Sequence, residues 1–234
     1  MTKNVLHLVL GSKDSHYQNI ENVAKQTWMT RTPDNVKTIF MYGDSNKIFW
    51  DNQDSFYVDR PENHAYSICL YKTIKAFEWF YESNFDYIYR TNCTGYFDLV
   101  LMSEYVLDKP TENLYSGYIV NHDDVIFASG ASFFLSKDMV KKIIDNQDVL
   151  FSYKYPGWMD DVIIGKFIKD YLGIDVDKDI TEKNLRKIVT PENISDDLDM
   201  SQFHYYVDPR NSGLENVTQG YIDILHKIHT LKLK

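Results

Sequence analysis

The chain reads as an α/β protein built on a mostly parallel sheet, and three observations lead there. Short apolar runs of strand length alternate along the sequence with longer segments of helical character. Two of these runs close on glycine, at Leu10-Gly11-Ser12 and Tyr42-Gly43-Asp44, as strands entering loops do. At 234 residues with 44 % hydrophobic content, the chain can bury one large core, with room for an appendage.

The elements follow in order. Val5–Leu10 is a continuous apolar run and suits a buried strand. Residues 19–29 read as a helix, 38–42 as a second strand and 56–58 as a third, shorter one. A long helix is expected over 62–82, then a strand over 87–91. Asp98 is placed to cap a helix running through Val106. Later strands are expected at 114–120 and 132–135, with helices starting at Lys137 and at Asp161. Residues 178–199 are polar and charged, which predicts a surface insertion with little core. Residues 214–233 show helical spacing through Val217, Tyr221, Ile224, Leu225, Ile228 and Leu231, either a packed terminal helix or a tether for a partner. The sequence contains no repeats and no low-complexity tract.

Composition restricts the function classes. The net charge is −9 and no run of Lys and Arg exceeds two, so the basic stripe that duplex DNA demands is absent. Lys183 with Arg186-Lys187 is the one faint basic patch. Cys69 and Cys93 have no metal-like spacing and are expected to be free thiols in a reducing compartment. The apolar run near the N-terminus is too short for a signal peptide or a membrane span, and a cytoplasmic protein is expected. Aromatic content reaches 15 %, with 18 Tyr, 13 Phe and 4 Trp. Such a surplus lines grooves that bind sugars or rings, or simply fills a Tyr-rich core.

The segment Trp158-Met159-Asp160-Asp161-Val162-Ile163-Ile164-Gly165 carries the most chemistry. Asp160 is placed to cap the helix that follows, and Asp161 falls in its first turn, where the helix dipole favours an ionised carboxylate. The pair is either plain capping or a general base for a hydroxyl. Lys72 lies on the apolar face marked by Ala65, Ile68, Cys69, Ala76, Trp79 and Phe80. A lysine there snorkels at the edge of the stripe, or points into a cleft toward a phosphate or a carboxylate.

Several segments together resemble a known family. Gln26-Thr27-Trp28 with the strand that ends at Gly43 is similar to the opening of the β1,3-galactosyltransferase and Fringe group. Tyr71-Lys72-Thr73 followed by Trp79 resembles that group's Leu-Lys-Thr helix. Asp86-Tyr87-Ile88-Tyr89-Arg90-Thr91 resembles the strand that enters its Asp-x-Asp motif. The small-residue strand Ala128-Ser129-Gly130-Ala131-Ser132 and the Asp160-Asp161-Val162 element with Gly165 complete the order, which spans about Val5 to Gly173.

The resemblance implies a GT-A fold, with a catalytic core over residues 1–175 and residues 176–234 packed on the same domain. It implies an inverting glycosyltransferase that uses a nucleotide-sugar, a UDP-sugar by analogy, with Asp161 as base and Asp160 orienting or capping. On the donor side it points to Gly11, Lys72, Arg90, Asn92, Thr94, His204 and Arg210. On the acceptor side the candidates are Gly130 and the aromatic rings of Tyr155 and Trp158. Where the family places Asp-x-Asp for a divalent metal, this chain has Asn92-Cys93-Thr94. Neutral oxygens hold Mg²⁺ or Mn²⁺ poorly. The expectation is therefore weak or absent metal binding at Asn92 and Thr94, with basic side chains neutralising the departing diphosphate. A glycan, lipid-linked sugar or protein acceptor is expected. A phage-type enzyme acting on a modified DNA base is the alternative activity, and a non-catalytic sugar-binding module is the alternative of another class.

Overall fold

In a computed structural model, residues 2–62, 67–122, 124–153, 159–177, 185–188, 194–195, 198–207 and 216–234 are described. The main sheet contains β1 (Val5–Leu10), β2 (Val36–Tyr42), β3 (Phe49–Trp50), β4 (Ser55–Tyr57), β5 (Tyr87–Asn92), β7 (Tyr115–His122) and β8 (Val125–Ser136). Its order is β3-β4-β2-β1-β5-β8-β7. A small second sheet has the order β6-β10-β9, from β6 (Gly95–Phe97), β9 (Leu185–Ile188) and β10 (His204–Val207). The helices are α1 (Ser15–Gln26), α2 (Ser67–Phe80), α3 (Leu99–Tyr105), α4 (Lys137–Asp145), α5 (Gln147–Ser152), α6 (Asp160–Asp170) and α7 (Val217–Lys232).

β1 pairs in parallel with β2 and β5, and β2 with β4, while β8 runs antiparallel between β5 and β7. Five of the seven strands therefore point the same way, and only β3 and β8 oppose them. This is the mostly parallel α/β sheet expected from the sequence. The apolar run of β1 reflects burial on both faces, as parallel strands require. Val5 and Val9 pack into the layer that holds α1, α3, α7 and the small sheet. Leu6 and Leu8 face the opposite layer, with α2, α4 and α6.

His7 shares the face of Val5 and Val9 and is fully buried. Its ring nitrogens bond the threonine hydroxyls of the two flanking strands, Nδ1 to Thr38 at 3.3 Å and Nε2 to Thr91 at 2.8 Å. Burial, and secondarily the nearby His204, push its pKa down to about 3, so it sits in the core as a neutral bridge.

Three sequence expectations change. The strand expected at 132–135 is the end of a twelve-residue strand, β8, whose small residues 128–131 read as strand through the family resemblance and not by propensity, since Ala and Gly are poor strand formers. The stretch 178–199 is more than a polar insertion: it supplies β9, and Ile194 and Leu198 are buried in the core. The small sheet itself was not expected, because β6 lies far in sequence from β9 and β10. The terminal helix packs rather than extending away. α7 buries Tyr221, Ile224, Leu225 and Ile228, and Lys232 closes a buried ion pair with Asp98 at 3.0 Å. Asp98 also caps α3 as expected, accepting from the Leu101 N–H. Cys69 and Cys93 are free thiols; burial raises that of Cys93 to about 12. No helix among the described residues is long and apolar enough to cross a membrane.

Candidate active site

The chain builds β1, β2 and β4 outward on one side and then returns to lay β5 on the other side of β1. Open α/β sheets bind ligands at such a switch, beyond the carboxyl ends of the strands. Gly11 follows β1 there, and Asn92 ends β5 beside Leu10. Because β8 runs the other way, its early half reaches the same end, and so brings Gly130 there.

The N-terminus of α6 docks against this part of β8. Gly165 makes the close approach possible, since a Cβ there would overlap Phe127 and come 3.0 Å from the Tyr115 hydroxyl. Val162 adds a small apolar contact with Val125 and Phe127. The docking places both carboxylates of α6 inside the molecule.

Asp160 does not cap its helix, contrary to the sequence expectation. Met159 is the N-cap residue, with no side-chain cap bond, and α6 begins at Asp160. The Asp160 carboxylate turns into the core instead. Its Oδ2 accepts from Arg90 Nη2 at 2.7 Å and from the Thr73 hydroxyl at 3.0 Å. Arg90 is nearly inaccessible, and its guanidinium spans three groups. Nη2 holds Asp160, while Nη1 donates to the Gly130 carbonyl and, at 2.9 Å, to Asn92 Oδ1.

Asp161 lies in the first turn of α6, as expected, and is only 6 % exposed. Its Oδ2 accepts from the Gly130 N–H at 2.6 Å and its Oδ1 from the Val162 N–H at 2.9 Å. A carboxylate oxygen has two lone pairs, so each keeps one free. Burial raises the Asp161 pKa above the ordinary carboxylate range, and the Asp160 charge adds to the rise. The Gly130 and Val162 N–H groups and Arg90 oppose it. The neighbouring carboxylates thus have distinct surroundings. Asp160 is ion-paired with Arg90, whereas Asp161 is held by backbone donors and has a raised proton affinity.

A second buried pair lies at the ends of β1 and β2. Lys72 is 2 % exposed, and its Nζ donates to the Gly11 carbonyl at 2.8 Å and to Glu62 at 2.9 Å. Glu62 also accepts from the Gly43 N–H at 2.6 Å. Lys72 therefore has an interior partner anion, and does not snorkel. Glu62 was not singled out from sequence. Thr73 lay within the Tyr-Lys-Thr motif, but nothing local marks Glu62 as the partner of Lys72.

His204 stands on β10 in the small sheet, packed on Phe97 at 4.7 Å between ring centres. Burial pushes its pKa down to about 3, and neither ring nitrogen has a hydrogen-bond partner among the described residues. It presents a neutral imidazole. Thr94 is partly buried in the turn between β5 and β6. Tyr155, Trp158 and Arg210 lie outside the described residues. A cavity of about 330 Å³ opens at the opposite, amino end of β1, among Asn4, Leu6, Asn35, Trp50 and Phe85, and includes none of the predicted site residues. Among the described residues no three His, Cys, Asp or Glu side chains are grouped as metal ligands.

No family model matches the chain, and no curated protein matches it. Among solved structures it is similar to the apo-form glycosyltransferase GlyE of Streptococcus pneumoniae TIGR4, with a TM-score of 0.47 and 14 % identity. The similarity covers 76 % of this chain and 46 % of that one, so the chain spans less than half the length of this neighbour.

Proposed function

We propose that the chain is an inverting glycosyltransferase of the GT-A type. It moves a sugar from a nucleotide-sugar, a UDP-sugar by family resemblance, to a hydroxyl of a glycan or similar acceptor. The observation that carries this reading is Asp161: a buried carboxylate with raised proton affinity at the switch point of the sheet, held by two N–H groups and still able to accept a proton. In the reaction, Asp161 takes the proton of the acceptor hydroxyl as its oxygen attacks the anomeric carbon. The bond from that carbon to the diphosphate breaks on the opposite face, and the nucleoside diphosphate leaves with the electron pair.

A tightly held divalent metal does not suit the residues present. Asn92 offers a neutral oxygen that already accepts from Arg90, and a cation there would face the guanidinium. The Cys93 thiol between Asn92 and Thr94 is buried and protonated at neutral pH. Neutralisation of the diphosphate then falls to protein donors, with Arg210 the remaining basic candidate near the end of the chain.

The test is nucleotide release from a panel of UDP- and GDP-sugars, with Mn²⁺ or with EDTA. Release that persists in EDTA supports a metal-independent transferase and identifies its donor. Strict dependence on Mn²⁺ contradicts the metal reading. Sugar binding with no release of any nucleotide favours the non-catalytic module instead.

A further inference from the structure

The position of Arg90 raises the question of what a fully buried guanidinium does at this site. A cation needed only to balance Asp160 could be a single point charge. Arg90 instead uses its fork on three acceptors from three segments: Asp160 on α6, the Gly130 carbonyl on β8, and Asn92 at the end of β5. The backbone of Gly130 is the informative one, because both of its polar groups are engaged. Its carbonyl takes the Arg90 Nη1 donor, and its N–H donates to Asp161 Oδ2 at 2.6 Å.

We infer that Arg90 is a positioning residue for the base: its guanidinium fixes the Gly130 segment of β8, which in turn holds the Asp161 carboxylate in place. This rests on the reading of Asp161 as the base, and it removes Arg90 from the donors available to the diphosphate. The geometry also gives a reason for glycine at 130. A Cβ there would overlap Arg90 Nη1 and approach Asp161 Oδ2 to 3.2 Å. The residue has no positive φ, so space alone excludes a side chain. The atom in the way is the far end of a flexible side chain, so alanine at this position displaces the fork rather than the fold.

Two substitutions separate positioning from charge balance. R90K keeps a cation beside Asp160 but loses the planar fork, since an ammonium cannot reproduce its spread of donors. G130A keeps Arg90 and pushes its fork aside. Two readouts apply. One is the Gly130 amide resonance followed by ¹⁵N NMR through the titration of Asp161, which needs no turnover. The other is the pH profile of donor hydrolysis.

In R90K the Gly130 amide should lose its hydrogen-bonded shift and its response to Asp161. Losing that N–H raises the proton affinity of Asp161 further, so the acid limb should move to higher pH. The turnover number should fall on the order of tenfold or more, as a misplaced reacting group does. In G130A the amide at residue 130 should likewise lose its response to the Asp161 titration and the acid limb should move in the same direction, which decides the matter if R90K does not fold. A wild-type titration response at the residue-130 amide and an unmoved acid limb in the folded variant would overturn the inference. If the wild-type protein shows the Gly130 signature and hydrolyses no donor, it is the transferase reading that fails, while the Arg90 to Gly130 to Asp161 arrangement stands on the NMR result.

Discussion

Two adjacent aspartates occupy neighbouring positions in one helical turn and have different surroundings. Asp160 faces a guanidinium and a threonine hydroxyl; Asp161 faces two backbone N–H groups. Because burial raises the Asp161 pKa, its base form is lost at a higher pH than for a solvent carboxylate. The acid limb of kcat/KM should therefore lie above the ordinary carboxylate value and be absent from residual activity in Asp161→Asn. A limb at the ordinary value would place the base elsewhere. His7 and His204 make the opposite kind of prediction. Each is held neutral in the fold, with its pKa lowered to about 3, whereas an unfolded histidine titrates near 6.5. Their stabilising contribution is present above about pH 6.5 and lost as pH falls toward 3, by about 1.4 kcal/mol per pH unit for each proton. His204→Leu should remove one proton from this acid sensitivity, read from urea unfolding across that range, and leave donor affinity at pH 7 unchanged. A large rise in donor KM would instead return His204 to the diphosphate site.

At the scale of elements, α6 works because it lies close to β8, and Gly165 sets that distance. In an exposed helix, Gly→Ala stabilises by about 1 kcal/mol. Here the added methyl meets Phe127 Cβ, which cannot swing away, and the overpacking cost of about 1–3 kcal/mol exceeds that gain. Gly165→Ala should lower stability in chemical denaturation and reduce turnover together. Increased stability would show that the two elements are loosely packed. The helical period of α6, the glycine-closed strands β1 and β2, and the Asp98 cap were all legible because their signals are local. The full length of β8 was not legible from local signals, since Ala128-Ser129-Gly130-Ala131-Ser132 has weak strand propensity, was marked as strand only by the family resemblance, and owes its conformation to β5, β7 and α6. Asp160 was misread as a cap for the same reason: a carboxylate's local preference for free N–H groups yields when a distant arginine needs a partner. The family resemblance drew attention to Asp160-Asp161, but the wiring around the pair was not legible, because Arg90, Thr73 and Gly130 approach α6 only in the folded chain.

For the whole molecule, the sheet gathers its chemistry at one end, and the Lys72–Glu62 pair fastens that end. Lys72 ties the end of β1 to α2, and Glu62 ties in the start of the loop after β2. Glu62→Gln would leave a buried ammonium without its counter-charge, and should cost about 3 kcal/mol in urea unfolding, as broken buried pairs do. A loss below about 1 kcal/mol would mean that Lys72 reaches solvent or another anion. Thr73, the next residue on α2, bonds Asp160 at the start of α6, so α2 links the end of β1 to the segment where, under the proposed function, a donor and an acceptor would meet. Under the proposed function, Asp161 removes the acceptor proton. The most direct measurement compares donor affinity and single-turnover rate in the wild-type protein and in Asp161→Asn. An unchanged donor Kd is expected with a rate lower by about 10²- to 10⁴-fold, the usual contribution of a positioned base. A variant that turns over at the wild-type rate, or one that loses donor binding as fully as it loses rate, would contradict it.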